Sequence, residues 1–409
     1  MKALRKYLNK IKPDFEEGGK LSMFRSVFEG FETFLFVSNE TSKSGVHIHD
    51  SIDSKRTMSV VILALMPALL FGMYNTGYQH NLATGIEPGF WMTFIYGFLA
   101  VLPKIVVSYA VGLGIEFVVA QLKKEEIQEG FLVSGMLIPM IVPVDTPLWM
   151  IAVATAFAVI FAKEVFGGTG YNVFNVALVT RAFLFFAYPA AMSGDQVFVR
   201  TAPVFGIGGA QVADAFSGAT PLGQIGIAAK ESIGSFHTVD VLGNPLTTWD
   251  YFIGLMPGSI GETSVLAILT GAVILLFTGV ASWKTMFSVF AGGAVMVALF
   301  NLIGTTVVMT VSPVDHLFLG GFAFGAVFMA TDPVTSARTE TGKYIYGLLV
   351  GAFAIIIRVL NPGYPEGMML AILLMNTFAP LIDYYVVESN VRRRLKRVAV
   401  KKNDNTERL

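Results

Sequence analysis

Ten apolar stretches follow one another along the chain, at roughly 58–75, 92–121, 131–147, 149–166, 176–190, 263–281, 286–304, 315–331, 343–360 and 366–386. Crossing the hydrocarbon of a bilayer takes about 20 apolar residues at 1.5 Å each. Several of these stretches reach that length and the rest approach it. In lipid the backbone must satisfy its own hydrogen bonds, so such stretches fold as helices. The expectation is an all-α, polytopic membrane protein. Charged residues make up only 14% of the chain, well below the quarter of a soluble domain, which supports the same reading. The second stretch is long and interrupted by Pro103-Lys104, so it reads either as one tilted helix or as an interfacial piece followed by a span.

Charge distribution orients the spans. Ten basic residues lie between Lys2 and Arg56, before the first span. Lys123, Lys124, Lys163, Lys284, Arg338 and Lys343 fall at alternate connections, and Arg392-Arg393-Arg394-Leu395-Lys396-Arg397 follows the last span. Lysine and arginine accumulate on the cytoplasmic side of short loops, so both termini are expected in the cytoplasm. The chain then divides into a cytoplasmic segment 1–57, five spans over 58–190, an outer, periplasmic loop 191–262, five spans over 263–386 and a basic cytoplasmic tail 387–409. Breaks at Ala162-Lys163-Glu164 and Ala330-Thr331-Asp332-Pro333 close spans four and eight at the same face. That placement suggests two inverted five-helix repeats, since broken helices at matching places mark repeat-built transporters. The basic residues before span one are polar, with no cleavable leader pattern. A formal net charge of zero gives no argument for nucleic acid.

The absence of cysteine excludes cysteine-ligated iron–sulfur clusters and thiol catalysis in this chain. Electrons, if carried, need an organic cofactor. The outer loop holds Asp214-Ala215-Phe216-Ser217-Gly218-Ala219-Thr220, the pattern on which an FMN transferase esterifies FMN to the final threonine. Ser217, Gly218 and Ala219 keep the approach to the Thr220 hydroxyl open, and Asp214 is placed to orient a metal or the flavin donor. Glu116, Glu164, Asp332 and Asp383 lie within or at the inner ends of spans, and Glu29 lies in the N-terminal segment. Ionisable groups in a bilayer face a pathway or a partner; each acid is therefore a cation station, a salt bridge or an interfacial group. Lys163 beside Glu164 suits the salt-bridge alternative. Asn172 and Asn175 carry paired donors and acceptors fit for an isoalloxazine edge, or cap a broken helix. His47 and His49 lack a third ligand, and no zinc, haem or nucleotide-binding pattern is present.

Several long segments together resemble one family. They are Phe15-Glu16-Glu17-Gly18-Gly19-Lys20, Lys163-Glu164-Val165-Phe166-Gly167-Gly168-Thr169-Gly170, Arg181 to Pro189, the flavin loop, Gly320-Gly321-Phe322-Ala323-Phe324-Gly325 and Asn361 to Met369. They resemble the B subunit of the bacterial Na+-translocating NADH:quinone oxidoreductases, a family it shares with the D subunit of Rnf complexes. The resemblance implies an architecture like that of the urea and ammonium transporters, in the inner membrane and surrounded by lipid. It implies covalent FMN on Thr220, non-covalent riboflavin near Asn172 and Asn175, and quinone as substrate near Phe183, Phe185 and Gly112. It also implies Na+ uptake through Glu29, Glu116, Asp332 and Asp383, leaving Glu164 structural or close to a flavin. Five partner subunits are implied, among them a periplasm-facing FMN subunit and an FAD/iron–sulfur subunit that oxidises NADH. Val176 stands where the family carries proline, and Leu113 where it carries a second glycine. The expected activity is electron passage from FMN to riboflavin to quinone, with flavin charge biasing nearby acids toward Na+. The alternatives are an Rnf-type ferredoxin:NAD+ oxidoreductase subunit or a flavin-free solute channel. The 57 residues before span one and the Phe183/Phe185 pair favour the quinone reductase.

Overall fold

A computed structural model describes residues 2–15, 54–123, 130–194, 197–209, 216–230, 236–361 and 366–406, with isolated positions between 19 and 32. Asp214, Glu29, His47 and His49 lie outside the described residues. Among the described residues the chain is helical, and the only strand-like pairings are isolated bridges Val204–Ile207 and Val239–Pro245. The helices are α1 (Lys2–Phe15), α2 (Ser54–Thr84), α3 (Phe90–Lys123), α4 (Phe131–Met140), α5 (Leu148–Ala158), α6 (Val176–Ala187), α7 (Pro189–Met192) and α8 (Pro221–Lys230). They continue with α9 (Thr248–Ile253), α10 (Val265–Phe277), α11 (Trp283–Ile303), α12 (Val307–Thr310), α13 (Pro313–Phe318), α14 (Phe322–Phe324), α15 (Glu340–Leu360) and α16 (Met368–Thr406). α5 runs on into a π turn, Val159–Lys163, and a 3₁₀ turn, Glu164–Phe166; α14 runs on into a second π turn, Gly325–Met329.

Six of these helical segments are long and apolar enough to cross a bilayer: 55–84, 90–123, 148–166, 283–303, 340–360 and 368–397. The chain is a multi-pass membrane protein. The other expected spans are shorter, and three of them have a local cause. α4 contains Pro139 and ends before Pro143, leaving 141–147 as turns and irregular backbone. α6 stops at Tyr188, the residue before Pro189, where helical dihedrals are disfavoured. Between α13 and α14, Gly320 and Gly321 take φ of +63° and +68°, a left-handed break that side chains resist. Pro103, by contrast, interrupts nothing: α3 is one continuous helix, with Lys104 buried and donating to the Thr146 carbonyl at 3.1 Å.

Irregular backbone at membrane depth needs protein partners, and the non-helical segment after α4 has them. Gly261 N donates to Met140 O (2.7 Å), Ile260 N to Val142 O (3.4 Å), and Asp145 N to the Val197 carbonyl (3.2 Å). Asn75 of α2 bonds Met256 O at 3.0 Å, pinning the turn that precedes α10. Small residues allow the long helices to meet at backbone distance: a Cβ on Gly97 of α3 would lie 1.7 Å from the Met73 carbonyl of α2.

Candidate functional site

The lysine at the end of the π turn, Lys163, is buried and ion-pairs with Glu116 of α3, itself buried. The expected Lys163–Glu164 neighbour pairing is not formed; Glu164 faces Lys123 at 3.6 Å. A π turn inserts a residue into the helical register and commonly marks a functional position, and here it swings Lys163 onto α3. Among the described residues, Glu116 Oε2 has no partner.

Lys163 also lines a pocket of about 840 Å³ on the side of the protein that carries Thr57, Gly130 and Ala281. Asn172, Asn175 and Asp332 line the same pocket, as do Thr169, Ser134, Val176 and Phe328. Asn175 is the N-cap of α6: its Oδ1 accepts from Ala177 N (3.0 Å) and Leu178 N (3.3 Å), while its Nδ2 donates to Asp332 Oδ2 (3.1 Å). Asp332 further accepts from Val334 N at 3.0 Å and the Thr335 hydroxyl at 3.2 Å. Asn172 is held locally, accepting from Gly170 N (3.3 Å) and donating to Phe174 O (3.0 Å). The capping alternative therefore describes Asn175 in this structure. The buried Thr169 hydroxyl, by contrast, has no partner among the described residues.

At the far end of α6 lies a second cavity, of about 790 Å³. Asn175 and Phe185 are ten residues apart, so about 15 Å of helix separates the two sites. Thr220 and Phe185 line this cavity with Arg181, Ser259, Glu262, Gly321 and Glu366. Thr220 sits at the start of α8, its Oγ1 accepting from Gly223 N (3.1 Å) and its carbonyl from Gln224 N (2.9 Å). Gln224 fixes the motif from behind, donating to Ala219 O (3.0 Å) and Val239 O (2.8 Å) and accepting from Val239 N (2.8 Å). Ser217 and Gly218 lead into Thr220, with Ser217 N donating to Val241 O at 3.4 Å. A negatively charged group on the Thr220 oxygen would meet the N-terminal amides of α8, a favourable site for phosphate.

The wall of this cavity is an ion network. Arg181 donates to Glu262 at 2.6 Å and to Ser259 Oγ at 3.4 Å, and pairs with Glu366. Arg358, fully buried, donates to the carbonyls of His316 (2.5 Å), Leu319 (3.0 Å) and Glu366 (3.2 Å). The glycine pair Gly320-Gly321 admits both groups: a Cβ on Gly321 would lie 2.8 Å from the Glu262 carboxyl. Sequence reasoning singled out neither Glu262 nor Glu366. Their signal was weak: isolated acids in loops, 81 and 185 residues from Arg181.

The remaining candidates are dispersed. Phe183 stacks on Phe157 with centroids 4.7 Å apart. Phe185 lies at the Thr220 cavity, away from Gly112, whose missing Cβ makes room for the buried Phe131 ring (1.9 Å from its Cζ). The structure therefore does not bring Phe183, Phe185 and Gly112 into one site. Asp383 of α16 accepts from Arg338 N (2.7 Å), Thr339 N (3.0 Å) and the Thr339 hydroxyl (2.5 Å), so its carboxylate ties down the N-cap of α15.

Residues 41–392 match the NQR2, RnfD, RnfE family. The B subunit of the Na(+)-translocating NADH-quinone reductase from Ectopseudomonas mendocina is 43% identical, over 96% of this chain and 99% of that one. The corresponding proteins of Chromohalobacter salexigens and Azotobacter vinelandii are each 42% identical, over 97% and 96% of this chain and 97% and 99% of theirs.

Proposed function

The chain belongs to the NQR2, RnfD, RnfE family, and from that premise we propose that it is the membrane subunit of a redox-driven Na+ pump, a Na+-translocating NADH:quinone reductase. Relatives bearing that name align over nearly their whole length, the segment before α2 included, which favours this reading over an Rnf subunit or a flavin-free channel. The observation that carries the finer reading is the pair of cavities at opposite ends of α6, one bearing the Thr220 hydroxyl and the other Asn172, Asn175 and Asp332.

Covalent FMN at Thr220 fits the outer cavity. The hydroxyl faces open volume, its neighbours are small, and the N-terminus of α8 offers amides to a phosphodiester. Asp214, Ser217 and Gly218 complete the sequence that an FMN transferase reads. Riboflavin fits the inner pocket, where Val176 and Phe328 offer apolar surface to a flat ring and the unpartnered Thr169 hydroxyl offers it a polar contact. A bound flavin supplies electron transfer in single steps. Arg181, held between Glu262 and Glu366, fixes the wall of the outer cavity and places a cation beside it. Asn175 links the α6 N-terminus to Asp332, so the inner pocket and that carboxylate move as one unit. Phe183, Phe185 and Gly112 are assigned to quinone contacts, and Glu29, Glu116, Asp332 and Asp383 to the Na+ path.

The architecture in this reading is ten membrane helices in two inverted five-helix repeats, as in urea and ammonium transporters. Helix contacts support it. The pairs α2–α4, α3–α4, α3–α5, α4–α6 and α5–α6 have counterparts in α10–α14, α11–α13, α11–α15, the second π turn with α16, and α15–α16. α2 packs on α10 and α6 on α16, as self-equivalent elements across a two-fold axis would. The repeats occupy 58–190 and 263–386, joined by the periplasmic loop 191–262 and flanked by cytoplasmic segments 1–57 and 387–409 in the inner membrane. Five other subunits, including a periplasm-facing FMN subunit and an FAD/iron–sulfur NADH-oxidising subunit, complete the enzyme. Intact mass of the denatured chain tests the central assignment: a gain of one FMN less one water, absent from Thr220→Ala, supports it. An unmodified chain from its native host refutes it.

A further inference from the structure

Glu116 offers one carboxylate oxygen to Lys163 and leaves the other, buried, without a partner among the described residues. A buried carboxylate half-satisfied by an ammonium has one oxygen still able to accept a cation and a competitor already on the other. A second cation entering there must displace the first, because two cations on one carboxylate in a medium of low dielectric repel strongly. Lys163 sits where the regular helix ends: its backbone (φ −124°, ψ −64°) lies outside the helical region at the junction of the π and 3₁₀ turns. Its flexible stem also lines the inner pocket, where Asp332 and the unpartnered Thr169 hydroxyl are available acceptors.

We propose that Lys163 is a tethered cation that occupies Glu116 in place of the transported ion. Na+ gains Glu116 only as the ammonium swings into the inner pocket, and the returning ammonium expels Na+. Charge balances at each exchange: one monovalent cation arrives at Glu116 and one leaves it. The device makes Na+ binding weak by design, since the carboxylate is available only in the fraction of molecules from which the lysine has withdrawn. It also makes release automatic. The inference rests on reading the chain as a Na+-pump subunit, and it adds to that reading the group with which Na+ competes.

The test is equilibrium binding of radioactive Na+ to the oxidised, purified complex, carried out beside NADH-driven Na+ uptake into vesicles. If the lysine holds Glu116 in nine molecules of ten or more, Lys163→Met tightens apparent Na+ binding at that site about tenfold or more. Adding Glu116→Gln to it removes the gained site. Lys163→Arg keeps the charge on a group that grips a carboxylate more firmly, so it weakens Na+ binding below the wild-type level. This second variant decides the matter if Lys163→Met fails to assemble. Unchanged or weaker binding in Lys163→Met, or unchanged or tighter binding in Lys163→Arg, overturns the proposal. A wild-type complex that neither binds nor transports Na+ overturns the pump reading itself, and the vesicle measurement tells that failure apart from loss of the lysine's role alone.

Discussion

Replacing Arg181 by methionine keeps much of the side-chain bulk and deletes the charge from the wall of the Thr220 cavity. Arg181 is 5% exposed, and its partner Glu262 is 8% exposed. Removing the guanidinium strips Glu262 of its 2.6 Å cation contact and Ser259 of a donor, and it leaves Glu366 without that arginine. Breaking one side of a buried ion pair costs about 3–5 kcal/mol, since the surviving charge is left uncompensated. For a chain of this size each kcal/mol moves the melting temperature by roughly 1 °C, so Arg181→Met is expected to lower it by about 3–5 °C. Glu262→Gln carries a cost of the same origin. Their sum overstates the double variant, because Arg181→Met/Glu262→Gln leaves no charge at that contact; a coupling of about 1–3 kcal/mol is expected from the cycle. Tryptophan fluorescence during heating of the detergent-solubilised complex reads all four species. Additive losses in the double variant refute the claim that this pair is what braces the cavity.

Three further outcomes follow from single contacts. Thr220→Ala leaves α8 short of a cap and the denatured chain free of flavin fluorescence; Thr220→Ser, which keeps the Gly223 N–H···O bond, loses less stability than alanine, by about 1 kcal/mol in the melting assay. Asp383→Ala removes the acceptor for two backbone amides and a hydroxyl at the start of α15, and is expected to cost about 1–2 kcal/mol. If Asp383 acts in Na+ uptake through charge alone, Asp383→Asn, whose single amide oxygen keeps the Thr339 bonds but turns an NH2 toward Arg338 N, restores part of the stability without restoring Na+ dependence of quinone reduction. Recovery of both by asparagine would argue for a purely structural carboxylate. Gly112→Ala drives a methyl to within 1.9 Å of the Phe131 ring and is expected to cost about 1–3 kcal/mol by overpacking; adding Phe131→Leu should recover most of that loss.

The apolar stretches were legible because bilayer thickness imposes a length on sequence directly, and each holds helix over at least part of its length, six of them over enough to cross a bilayer. Where the helices end was legible only in part. Gly320-Gly321 and Pro189 announce breaks by their own dihedral limits, but Pro103 looks like a break and is not one. A proline removes one intrahelical hydrogen bond, and the packing of α3 against α2, α4 and α5 keeps the helix whole around it. The loop before α8 stands out in the sequence because its pattern lies within seven consecutive residues. Gln224, which fixes that loop, does not, because an amide bonding backbone carbonyls leaves no pattern of residue types. Partner choice among charges was the least legible. Adjacent Lys163 and Glu164 invite pairing on paper, yet successive helical residues do not face each other, and the π turn sends the lysine to α3 instead.

The same reasoning explains why α6 is the element on which the site depends. It is short for a span, 12 residues, and polar at its start and its middle: Asn175 caps it at the pocket of Asp332, and Arg181, a turn and a half further on, reaches Glu262. A helix that crossed the full bilayer would bury both cavities' polar walls in lipid or hold them about 30 Å apart. At its actual length it holds the two pockets about 15 Å apart, with the Leu178 and Leu184 side chains fully buried between them. Water is kept from the intervening stretch while each end keeps its polar groups. Under the proposed function, in which electrons pass through the membrane and a cation takes a different route, the short helix shortens the distance between the two proposed cofactor sites, while the Glu116–Lys163 pair lies on α3 and the π turn.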